Sequence, residues 1–178
     1  MKSLSLFIAL CLFLSGCSSM KPEDFAKAEP KFDLFDYFEG NTQAWGIFED
    51  RFGNVKRQFQ VDITGTIEGD QLTLDERFDY ADGEKDQRIW TITQKGEGRY
   101  EGLAADIVGK AIGTSAGNAL NWSYDMDLKV GESNYRVHFN DWMFLQQGNV
   151  MINRARVSKW GFDVGEVSLF FRKPANAS

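Results

Sequence analysis

The chain has 178 residues, 26 of them acidic and 20 basic, for a formal net charge of −6 at pH 7. That balance supplies no basic surface for nucleic acid and no polybasic pull toward an anionic bilayer, so neither partner is expected through charge. Both cysteines, Cys11 and Cys17, sit at the very start. Once that start is removed or modified, no thiol remains for a disulfide, a cysteine metal site or cysteine catalysis.

The opening residues have the parts of a secretory signal. Lys2 supplies positive charge, Leu4 to Leu14 form an apolar core, and Leu14-Ser15-Gly16-Cys17 matches the bacterial lipobox, which ends in the cysteine that receives diacylglycerol. The apolar run is about 11 residues, against roughly 20 for a helix that spans a bilayer. Cleavage before Cys17 is therefore expected, with Cys17 as the lipidation site. Two or three acyl chains of the palmitate kind give stable attachment where a single chain gives only marginal binding. Ser18 stands where Asp would favour inner-membrane retention, which points to the outer membrane, facing the periplasm. The expected layout is a signal peptide over 1–16, a lipidated tether over 17–31, one domain over 32–173 and a tail over 174–178.

Phe32, Leu34, Phe35 and Phe38 have helical spacing, and Gly40 is a usual C-terminal stop, so a short helix is expected there. From Gln43 onward the periodicity is two, the mark of strands. Strands are expected over Ala44 to Asp50, Val55 to Thr64, Gln71 to Tyr80, Asp86 to Gln94 and Arg99 to Ile107. They continue over Asn118 to Leu128, Tyr135 to Leu145, Val150 to Val157 and Asp163 to Arg172. Short turns separate most of them, including Glu68-Gly69, Asp82-Gly83, Gly131-Glu132 and Gln147-Gly148. The fold class is all-β. A meander this long must hide its edges, so it is expected to close into a lipocalin-like barrel of about eight to ten strands.

The turns imply a register. A Glu68-Gly69 turn sets Glu76 opposite Val61, and a loop centred on Asp82 sets Glu76 opposite Arg88. A Gly131-Glu132 turn sets Phe139 opposite Tyr124 and Asp141 opposite Trp122. A Gln147-Gly148 turn sets Asp141 opposite Arg154. Two acids thus fall on apolar strand faces, Glu76 beside Arg88 and Asp141 beside Arg154. A buried carboxylate is costly unless paired, and arginine offers a bidentate fork. The pairs read as register-fixing ion pairs, as a polar floor for a ligand headgroup, or as a catalytic acid–base pair. Arginine partners lower a carboxyl pKa, which opposes the last of these.

Trp90 and Trp122 fall on the same inward face with Tyr124, as core packing or as the wall of a cavity for a lipid. The candidate interior ligand-binding residues are therefore Glu76, Arg88, Trp90, Trp122, Tyr124, Asp141 and Arg154. The stretch Gly102 to Leu120 is rich in small residues and reads as a long loop or lid at one barrel mouth. It lacks the Gly-Lys-Ser/Thr of a phosphate loop. The lone His138 alternates onto the outer face, so neither a zinc site nor a Ser-His triad finds its usual residues. No cofactor and no metal are expected.

Several segments together resemble a family of Gram-negative lipoproteins numbered 3833 among the domains of unknown function. They are Tyr37-Phe38-Glu39-Gly40, Ala44-Trp45-Gly46, Asp50-Arg51-Phe52-Gly53, Leu72-Thr73-Leu74-Asp75-Glu76, Phe78-Asp79-Tyr80, Arg88-Ile89-Trp90, Gly117-Asn118-Ala119-Leu120, Asn140-Asp141-Trp142-Met143 and Ile152-Asn153-Arg154. The resemblance spans nearly the whole chain after Cys17. It brings no established activity; members tend to be encoded near enzymes that modify fatty acids, which implies a lipid connection. A looser likeness to the lipocalin/calycin superfold rests on architecture, since Gly40 and Trp45 are too far apart for the Gly-x-Trp element.

The expected function is a non-enzymatic, membrane-anchored periplasmic lipoprotein that binds or carries a fatty acyl or other apolar ligand inside the barrel. The alternatives are an accessory lipoprotein docking an envelope partner, and an accessory enzyme of lipid modification. Its expected partners are the membrane, through the acyl chains, and a lipid or fatty-acid ligand, with no nucleic acid.

Overall fold

The computed structural model describes residues 19–130 and 133–173. The signal segment, Cys17, the turn at 131–132 and the tail at 174–178 lie outside the described residues.

Ten antiparallel strands run in meander order: β1 (Gly40–Asp50), β2 (Val55–Glu68), β3 (Gln71–Tyr80), β4 (Lys85–Gly96), β5 (Arg99–Leu103), β6 (Ile107–Ala116), β7 (Ala119–Val130), β8 (Ser133–Gln146), β9 (Val150–Lys159) and β10 (Phe162–Arg172). β1 pairs with β10 and closes the barrel, so no sheet edge is left open. The all-β closed barrel matches the sequence expectation. Inward positions are apolar, as with Val61 and Ile63 on β2 or Leu72 and Leu74 on β3. Outward positions carry ion pairs such as Arg136–Asp127 at 2.9 Å and Lys110–Glu101 at 2.7 Å.

The expectation of a loop or lid over Gly102 to Leu120 is overturned. Most of that stretch is the end of β5 and the whole of β6, closed onto β7 by a hairpin at Gly117-Asn118. The small residues are there for space. Gly113 lies directly opposite Trp122, and a methyl at either Gly113 or Gly102 would overlap the Trp122 ring. Glycines one and two strands away that make room for a single indole are large–small packing inside a sheet. The tenth strand matters for function, because a barrel wider than eight strands leaves interior space that side chains do not fill.

Two hairpins differ from the expected register. The β2–β3 turn is Gly69-Asp70, one residue later than expected, so Glu76 faces Ile63 rather than Val61. That shift moves the pairing by two and keeps every side chain on its face. At the β8–β9 turn three residues, Gln147 to Asn149, connect the strands, with Asn149 at φ 58°. Three-residue loops with a left-handed third position are a standard hairpin form. The extra residue changes the parity: Asp141 faces Ala155, and Arg154 points outward, 64% exposed, holding Glu166 at 2.7 Å. The Asp141–Arg154 interior pair is therefore corrected.

One end of the barrel is plugged. Helix α1 (Leu34–Phe38) starts at Asp33, whose carboxylate accepts from the Phe35 and Asp36 amides. It buries Leu34, Phe35, Tyr37 and Phe38 into the barrel end where β1 begins. Phe35 stacks on Tyr100 at 6.1 Å, and Phe38 meets the edge of Phe171 at 5.9 Å. The Phe38 carbonyl rests directly on Gly65 of β2, where no side chain could fit. Part of the segment read as a tether also lies against the barrel: a 3-10 turn at Pro22–Phe25 sets Phe25 against Phe144 at 5.2 Å.

Candidate functional site

Above the plug the barrel encloses a cavity of about 930 Å³ that reaches the opposite rim at Lys56, Lys85 and Lys129. Its floor is apolar, with Leu34, Phe38, Ile63, Ile92 and Phe171. Its upper wall is aromatic: Phe59 lies 6.0 Å from Phe78 and 5.5 Å from Tyr80. Between them runs one polar belt, reached from the mouth along about 13 Å of strand, given some 3.3 Å per residue.

Six of the seven interior residues expected from the sequence, Glu76, Arg88, Trp90, Trp122, Tyr124 and Asp141, meet in this belt; Arg154 does not. Trp90 contacts Trp122 at 5.7 Å and Tyr124 at 5.4 Å, both edge-on, and Tyr124 stacks on Phe139 at 5.1 Å. Two further members were not foreseen. Asp106, between β5 and β6, takes the Arg88 fork, with Nε at 3.0 Å and the terminal nitrogen at 2.8 Å. Asn153 on β9 donates to Asp141 at 3.1 Å. Asp106 falls at the end of the strand expected over Arg99 to Ile107, but that strand stops at Leu103 and a turn before β6 swings the carboxylate onto Arg88, a placement with no local sequence signal. Asn153 was displaced by the one-residue slip.

Arg88 reaches Glu76 only at 3.9 Å, because Asp106 holds the fork. The balance of charge follows. Burial pushes the Glu76 carboxyl up to about 7, and Arg88 and the Trp90 indole pull it back only in part. Burial likewise pushes Asp141 up to about 6 against the pull of Asn153, Tyr124 and Arg88. The expectation that arginine keeps these acids low is therefore reversed, since desolvation outweighs the attraction. Burial opposes the charge of Arg88, yet Glu76 and Asp106 outweigh it and keep the guanidinium protonated.

These raised values carry a pH signature. Glu76 and Asp141 hold protons more tightly when folded than when unfolded. Their contribution to stability is complete below the unfolded values of about 4 and is lost as pH rises through about 6 to 7. The expected result is a denaturant midpoint that falls between about pH 4 and 7. The fall should be on the order of 3 kcal/mol for either group taken alone, and the slope should flatten in Glu76→Gln/Asp141→Asn. A wild-type slope no steeper than the variant's would show that the two acids are not buried as described.

His138 lies on the outer face, as expected, beside Asp125 at 2.8 Å. Fold and cavity together define a class: a closed antiparallel meander barrel, plugged at one end, with an internal cavity of the size that holds small molecules, roughly 300–1,000 Å³. The architecture is consistent with the lipocalin-like expectation. Within that class the chain belongs to the family described as a protein of unknown function, DUF3833, whose model matches residues 11–173. Among curated proteins none matches the chain.

Proposed function

We propose that this protein binds one elongated apolar ligand of the fatty-acyl type lengthwise in the barrel, and that acyl chains on Cys17 hold it at an envelope membrane, facing the periplasm. The cavity carries the binding reading: its inner Trp and Phe residues form walls rather than a filling, and its lining is apolar at the floor and along the upper wall below a charged rim. Each methylene moved from water onto such a wall contributes about 0.8 kcal/mol. Ten of them outweigh the several kcal/mol lost on immobilising a ligand. The lipobox supports the anchor.

Mass spectrometry of the full chain purified from envelopes tests both parts. The result expected is about one single-chain lipid per protein, lost in the cavity-filling variant Ala155→Trp, together with an N-terminal peptide that begins at an acylated Cys17. Equal lipid in the two proteins, or none in either, would contradict the binding reading.

A docking reading has one observation in its favour. Phe52, Trp160 and Phe162 are 75%, 88% and 74% exposed on two hairpins at the open mouth, joined by the Arg51 amide donating to the Val164 carbonyl. Aromatic tips of this kind mark contact surfaces.

A further inference from the structure

The polar belt says which end group the bound molecule carries, an inference that rests on the binding reading above. Among the described residues that line the cavity below the rim, the charged groups are Glu76, Asp106 and Asp141 against the single cation Arg88. The guanidinium is already engaged. Its Nε and one terminal nitrogen hold Asp106 at 2.8 to 3.0 Å, and the other terminal nitrogen faces Glu76 at 3.9 Å. A carboxylate or phosphate entering the belt would have to displace Asp106 and would lie against two further acids. Asp141 is held by Asn153, an amide, and among the described residues no cation pairs with it. Around these acceptors stand the rings of Trp90, Trp122 and Tyr124, with Trp90 meeting the other two edge-on. Carboxylates in excess of the one cation favour a cation or a hydrogen-bond donor and repel an anion.

We infer that the belt selects an amphiphile whose polar group is a donor, an ammonium before a hydroxyl, and excludes one ending in a free carboxylate or phosphate. Three of the rim's four basic residues are already engaged, Arg57 with Glu84 at 2.9 Å, Lys56 with Asp50 at 3.0 Å and Lys85 with Asp79 at 2.6 Å; the fourth, Lys129, stands five residues up β7 from Tyr124, about 16 Å from the belt at some 3.3 Å per residue.

Calorimetric titration of the full chain at pH 8 with octylamine, octanol and octanoate separates the possibilities, since the three share one tail. The result expected is octylamine tighter than octanoate by about tenfold or more, with octanol between them. Glu76→Gln/Asp141→Asn should bring the ratio close to one, and Glu76→Gln alone, which keeps the Asp141–Asn153 bond, should lower it part-way. Octanoate binding as tightly as octylamine overturns the inference and leaves the binding reading standing. A preference unchanged in both variants also overturns it, by assigning selection to the outer charge. If none of the three binds, the cavity reading itself fails, and the inference with it.

Discussion

Replacing Arg88 with Met should destabilise the protein by about 2 kcal/mol at pH 8, less than for a fully buried pair, because removing one member of a partly buried charge network leaves the others uncompensated. Met fits the space: the Arg88 guanidinium carbon already lies 5.5 Å from the Phe78 ring centroid, and its nitrogen touches the Met126 sulfur at 3.7 Å. The loss is therefore electrostatic rather than steric. Glu76 and Asp106 would face each other with no cation between them. Glu76 can respond by keeping its proton, so the cost should be smaller at pH 5 than at pH 8. Adding Asp106→Asn to Arg88→Met should recover part of the loss, as coupled sites do. Chemical denaturation at the two pH values checks all of this. A cost independent of pH, or a double variant no better than the single, would show that Arg88 acts only as packing.

Gly65→Ala should have a comparable effect through a different part of the molecule. Its methyl would overlap the carbonyl of Phe38, a backbone atom that cannot rotate away, and would press Leu74 from the other side. The strand cannot retreat, since β2 is hydrogen-bonded on both edges to β1 and β3. The plug must lift instead. That exposes part of Leu34, Phe35, Tyr37 and Phe38, each worth about 1.5–3 kcal/mol when fully buried. Even partial loss should lower the thermal midpoint by roughly 10 °C, at some 2–4 °C per kcal/mol for a chain of this size. Scanning calorimetry would show it. A midpoint within a degree or two of wild type would mean that α1 does not seal the barrel through this contact.

Much of the barrel was legible because alternation is strong wherever one face meets a core. The β7–β8 hairpin is the clearest case: Tyr124 opposite Phe139 and Trp122 opposite Asp141 follow from the position of the turn alone. So does Glu76 opposite Arg88. The failures have one cause each. β6 was hidden because its inward residues are small, and small residues look like a loop until the indole that fills their space is known. The β8–β9 register failed on one left-handed Asn149, which a two-residue reading of Gln147-Gly148 cannot include. That slip exchanged Asn153 for Arg154, and with it the difference between a neutralised acid and an amide-held one. Asp106 depends on both the strand and its connection, so no local pattern announces it. The raised carboxyls were misjudged because pairing is visible in sequence, whereas depth of burial is a property of the assembled barrel.

Emission from Trp90 and Trp122 alone tests the central claim most directly. In a chain carrying Trp45→Phe, Trp142→Phe and Trp160→Phe, the remaining tryptophans are these two, both on the cavity wall. A dibrominated long-chain alcohol, which quenches only on contact, should reduce that emission saturably at about one molecule per protein, and the cavity-filling change Ala155→Phe, which adds no tryptophan, should block the effect. Emission that stays unchanged up to the solubility limit of the alcohol, with the barrel intact by circular dichroism, would contradict an interior open to an apolar chain.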